Sequence, residues 1–221
     1  MRKLGKWKKQ CFILTLCLFL ITIFCYNNIL IVNYSKIDSD GNVKIGIIDG
    51  ALYKEHKIIT EAYMNSHIKQ VSHGDMILDF LEKVSNVEVY YYDATNEEGK
   101  IDSENIIKGL EWMKKQDVDY INMSISSKKT SVEIVRWLEL NTNIKVFCSY
   151  NNIIQSADYP AMYDDVIGSG INEQVMNEDM DKIYRTHNIL LIRDLSYYKG
   201  NSYLSILTML DYIKENCVET K

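Results

Sequence analysis

The 221-residue chain contains one proline, five cysteines and four histidines, and each scarcity removes a class of explanation. The single proline is Pro160, and there is neither an internal repeat nor a low-complexity tract. Three of the five cysteines, Cys11, Cys17 and Cys25, fall in one N-terminal apolar run. That leaves Cys148 and Cys217 for the remainder, with no CxxC pair, so neither a disulfide framework nor a zinc site is indicated. Positive charge is also short: the net charge is -5, and beyond the N-terminus the Lys and Arg residues are scattered, which argues against a nucleic-acid partner. After the first strand-like run comes Asp49-Gly50-Ala51-Leu52, which is no phosphate-cradling glycine loop, so a flavodoxin-like nucleotide-binding domain is disfavoured.

What is present begins with MRKLGKWKKQ, five basic charges and no acid, followed by an apolar run from Cys11 to Val32 that only two threonines and an Asn-Asn pair interrupt. Its length suits a helix crossing the hydrocarbon core, with the basic flank left in the cytoplasm. No small-x-small cleavage site follows, and no small residue precedes Cys17 or Cys25, so an uncleaved anchor is expected over a signal peptide or lipoprotein. The expected organisation is a basic flank and single transmembrane signal-anchor over residues 1–34, a polar linker over 35–42, and one folded domain over 43–221 outside the cell membrane.

Within that domain, Val43 to Ile48 is a β-branched run ended by Asp49-Gly50. Ser72-His73-Gly74-Asp75 opens a helical pattern through Phe80 and Val84, and Val87 to Tyr92 is strand-like. A helix from Ser103, a strand over Val118 to Met123, a helix over Val132 to Leu140 and a strand over Ile144 to Cys148 follow. The acidic stretch Asn172 to Asp181 reads as exposed, Ile189 to Ile192 as a further strand, and Ile206 to Ile213 as the face of a last helix. Strands alternating with helices of this length predict an α/β domain: a doubly wound, mostly parallel sheet with helices on both faces, preceded by one transmembrane helix.

Three residues are placed where chemistry is possible, and each has an ordinary structural alternative. Ser202 follows a Gly-Asn turn at a helix start, where unpaired N–H groups suit a nucleophile or a plain N-cap. His73 also stands at a helix start, a position that suits a general base or a capping residue. Asp49 ends a buried strand at the sheet edge where sites are built, or is half of a simple turn. His56, His67 and His187 lack a helix-start context and read as structural.

The strings VKIGIIDGAL, SHGDMILDF, IIKGLEWMKKQDVDYINMSIS, KVFCSYNN, YPAMYDDVIGSG and KGNSYLS, in that order between Val43 and about Glu215, resemble the landmarks of the subtilisin-like serine proteases. The resemblance implies peptide-bond hydrolysis through an Asp-His-Ser triad. Ser202 would be the nucleophile, His73 the general base and Asp49 the residue that orients it, with Asn151 donating to the oxyanion. Ser124 and Ser126 would line the substrate edge, and no cofactor or metal is expected. The substrate would be a peptide or protein.

The chain also departs from that pattern. Tyr203-Leu204-Ser205 stands where the family has Met-Ala-x and a proline is missing, Ser126 and Ser127 replace glycines on the substrate edge, and Tyr150 replaces the glycine before the oxyanion asparagine. Asp75, two residues from the base, is expected to raise its pKa. No recognisable calcium loop is present, and little chain separates the anchor from the first strand for a propeptide. Two readings follow: a membrane-anchored serine endopeptidase, or a catalytically impaired module of the same fold that binds peptides or a membrane-protein partner.

Overall fold

The computed structural model describes residues 13–20, 22, 28–33, 43–66, 70–153, 158–171 and 181–217. The expected linker, His67 and residues 172–180 of the acidic stretch lie outside them. The described strands and helices run β1 (Leu30–Val32), β2 (Lys44–Asp49), β3 (Ile59–Tyr63), α1 (His73–Val84), β4 (Glu88–Asp93), α2 (Ser103–Lys115), β5 (Tyr120–Met123) and α3 (Val132–Leu140). They continue with β6 (Lys145–Ser149), β7 (Val166–Ile171), β8 (Lys182–Tyr184), β9 (Asn188–Leu191), β10 (Ser196–Lys199) and α4 (Asn201–Cys217).

Seven of the strands form one sheet in the order β3-β4-β2-β5-β6-β7-β8, and every pairing in it is parallel. Because side chains alternate across a strand, Ile45, Ile47, Val89, Tyr91 and Phe147 pack on one face with Ile77, Phe80 and Leu81 of α1 and Leu207 and Leu210 of α4. Ile48, Tyr90, Tyr92, Ile121 and Met123 pack on the other with Leu110 and Met113 of α2 and Trp137 and Leu138 of α3. Helices cover both faces, as right-handed crossovers between parallel strands require. Burial on both faces also explains why β2 reads as a nearly unbroken apolar run.

The expected N-terminal anchor finds no support among the described residues. No helix among the described residues is long and apolar enough to cross a membrane. Residues 13–20 are helical, much of the rest of the apolar run lies outside the described residues, and its last three residues form β1. β1 pairs in parallel with β9, which pairs antiparallel with β10, so these three strands make a separate small sheet. Hydropathy alone could not make that distinction: Leu30-Ile31-Val32 is as apolar as the residues before it, but the Asn-Asn pair and a branched sequence suit a short strand.

Candidate active site

β2 occupies the middle of the large sheet, between β4 and β5, and its last residue is Asp49. The Asp49 carboxylate is buried, accepts the Gly50 N–H at 2.7 Å, and lies 2.9 and 3.0 Å from Nδ1 of His73. His73 is the first residue of α1, which Ser72 and Asp75 cap reciprocally in a capping box. Beneath this corner Tyr91 of β4 donates its hydroxyl to the Gly50 carbonyl. Gly74 is required for that arrangement, since a Cβ there would fall 2.0 Å from the Tyr91 oxygen.

On the opposite side, β10 ends at Lys199, Gly200 follows with a φ of +142° that favours glycine, and α4 begins at Asn201. Ser202 therefore sits in the first turn of a 17-residue helix, with its Oγ 3.0 Å from Nε2 of His73. A buried polar network supports that turn. Ser205 donates to Asn122 at 2.6 Å with its Oγ also 3.0 Å from the Ser202 carbonyl oxygen, while Asn122 donates to Ser124 at 3.0 Å. Ser205 thus anchors the nucleophile's helix to β5.

Sequence reasoning brings together Asp49, His73 and Ser202, and the structure places them in an unbroken hydrogen-bonded row. Burial disfavours the His73 imidazolium, but the hydrogen bond and negative charge of Asp49 outweigh it and raise the pKa above 6.5. Asp75 plays no part in that shift, contrary to expectation. Its buried carboxylate turns away from the base and accepts the backbone N–H groups of Ser72, Tyr53 and Lys54. Although desolvation opposes its charge, those donors and His56 hold its own pKa below the usual range.

The expectation for Asn151 is also corrected. Its side-chain amide donates to Asp158 at 2.5 Å and its backbone N–H to the same carboxylate at 2.9 Å. The next residue, Asn152, is the one whose carboxamide meets the nucleophile's loop, accepting the Asn201 N–H at 2.8 Å through Oδ1. The Asn-Asn doublet carried this signal but not which member's carboxamide reaches the nucleophile's loop, because β6 ends at Ser149 and the loop conformation decides. Ser124 and Ser126 both line a cleft of about 580 Å³ that Asp49, Ser72, His73 and Lys100 also border. The Ser124 hydroxyl is 3.4 Å from the Ser202 carbonyl, so it braces α4, whereas Ser126 is exposed. Ser127 is bridged to Tyr159 by a pair of backbone hydrogen bonds of 2.8 Å.

No family model matches the chain. Subtilisin DY of Bacillus licheniformis is 28% identical to it over 168 residues, covering 63% of this chain and 61% of the relative, so the match spans less than two thirds of that protein. Among solved structures, the prenylagaramide maturation protease PagA superposes with a TM-score of 0.59 at 11% identity, over 77% of this chain and 73% of that one. The protease domain of PatA gives 0.56 at 13% identity, over 79% and 78%. The psychrophilic subtilisin-like protease Apa1 of Pseudoalteromonas sp. AS-11 gives 0.50 at 17% identity, over 60% of this chain and 37% of that one. A seven-stranded parallel sheet carrying Asp49, His73 and Ser202 at its corner, together with these likenesses, assigns the chain a subtilisin-like fold.

Proposed function

We propose that the chain is a serine endopeptidase that hydrolyses peptide bonds with Asp49, His73 and Ser202. The observation that carries this reading is the row from the Asp49 carboxylate through both ring nitrogens of His73 to the Ser202 hydroxyl, with spacings of 2.9 and 3.0 Å. Hydrogen-bond reach between nucleophile and base, with the base oriented by a third group, is the geometry that nucleophilic catalysis needs. Ser202 Oγ attacks the scissile carbonyl carbon while its proton passes to Nε2 of His73. Asp49 accepts from Nδ1–H, fixing the tautomer and stabilising the imidazolium. His73 then protonates the leaving amine, and water attacks the acyl-serine by the same proton route in reverse.

The negative oxygen of the tetrahedral intermediate lies at the N-terminus of α4, where backbone N–H groups favour it. Asn152 is the side chain we assign as its further donor, since Asn151 is held on Asp158. The cleft beside Ser126 takes an extended segment of a peptide or protein substrate. The apolar run upstream of β1 holds the domain at the outer face of the cell membrane, its exposed Leu14, Leu18 and Phe19 being unsuited to water. The test is incubation of the purified full chain with a mixed peptide library, read by mass spectrometry against Ser202→Ala. New termini that appear only with the unaltered chain support proteolysis. Their absence from a folded chain favours the second reading, a peptide-binding module, for which the engagement of Asn151 by Asp158 speaks.

A further inference from the structure

Three carboxylates, from Asp75, Asp79 and Glu82, lie on one face of α1 at spacings of four and three residues. They surround His56, from the loop that follows Asp49, whose side chain is 1% exposed. Nε2 of His56 is 3.1 Å from Asp75 Oδ1. That carboxylate already accepts three backbone N–H groups, so it acts here as an acceptor and Nε2 carries the proton. In the Nε2–H tautomer the ring directs its Nδ1 lone pair toward Asp79 Oδ1 and Glu82 Oε1, each 3.7 Å away. That distance is too long for a hydrogen bond. Glu82 Oε1 is shut off from solvent and has no hydrogen-bond partner among the described residues. Among the described residues the cation paired with these groups is Lys54, which grips Asp79 from outside at 2.7 and 2.8 Å.

One imidazole nitrogen and two carboxylate oxygens thus converge within 4.8 Å of one another, with Lys54 as the competing donor on Asp79. We propose that His56, Asp79 and Glu82 bind a divalent transition-metal cation of the Zn²⁺ type, with solvent completing its coordination. Asp75 is the outer partner that sets the imidazole's tautomer and orientation, as such carboxylates do for metal-bound histidines. The ion joins the loop that leaves Asp49 to the helix that begins at His73, so it staples together the two elements that carry base and orienting acid. The sequence concealed this site because His56 stands far from Asp79 and Glu82 along the chain, at no ligand spacing.

The site is tested by titrating ZnCl₂ into the full chain, stripped with a chelator, using calorimetry and thermal unfolding. Glu82 and Lys54 have side chains 34% and 42% exposed, so Glu82→Gln and Lys54→Met leave the core untouched. The unaltered chain should take up one Zn²⁺ and unfold at a higher temperature with it. Glu82→Gln should weaken uptake about tenfold or more, and Lys54→Met should tighten it by removing the competitor on Asp79. Failure of the folded chain to take up zinc, as a protonated His56 shielded by its carboxylates would cause, overturns the proposal. Equal affinity in the unaltered chain and Glu82→Gln overturns it as well.

Discussion

At the scale of single residues, the two asparagines at the end of β6 separate chemistry from support. Asn152→Ala should slow acylation of Ser202 by about 10²–10³-fold, the cost of one oxyanion donor, while leaving the unfolding temperature nearly unchanged. Asn151→Ala should do the reverse, because it strips the buried Asp158 of the side-chain donor, leaving only the backbone N–H of residue 151, and costs about 1–3 kcal/mol of stability. Stopped-flow acylation rates and thermal unfolding of the two variants check both halves. The pH dependence follows from His73. Because its pKa is raised, the base becomes protonated as pH falls through that raised value, and the acylation rate should rise with pH to a midpoint above the usual 6.5. For stability the sign is opposite: the His73–Asp49 pairing stabilises the fold fully below the unfolded pKa of about 6.5, and that contribution is lost as pH rises through the folded value. Asp49→Asn should abolish this pH dependence of stability.

At the scale of elements, the corner between β2, β4 and α1 depends on Gly74. Gly74→Ala pushes a methyl into the Tyr91 hydroxyl and should destabilise by about 1–3 kcal/mol, with loss of acylation as His73 is displaced. Adding Tyr91→Phe to Gly74→Ala should restore part of that stability, since the clashing oxygen is gone; a double-mutant cycle by denaturant unfolding measures it.

Much of this corner was legible beforehand. β2 ending on Asp49 and α1 starting at His73 are written as a branched apolar run before a turn and as a serine cap before a 3.6-residue periodicity. The doubly wound order followed from the same alternation. β3, β8 and β10 were not legible, because they are short and mostly exposed, with no face buried deeply enough to impose alternation. The direction of Asp75 was hidden too: a residue two positions from His73 on a helix points elsewhere, and its partners Tyr53 and Lys54 are remote in sequence.

At the scale of the molecule, the seven-stranded sheet is enclosed by helices on both faces, whereas β1-β9-β10 is a separate three-stranded sheet. Hydrogen exchange should therefore be slowest in β2, β4, β5 and β6 and markedly faster in β1, which has one neighbour and three residues. Equal protection of β1 and β2 would mean the small sheet opens only with the whole domain. The same architecture sets the reacting groups on three separate elements, β2, α1 and α4, so their alignment reports the integrity of the entire fold.

The central claim is that Ser202 is an activated nucleophile, and a fluorophosphonate probe tests it most directly. Labelling of the purified full chain, with the adduct mapped by peptide mass spectrometry, should give one modified residue, Ser202, and no adduct in His73→Ala. A folded chain that stays unlabelled, or that is labelled equally well without His73, would contradict the account.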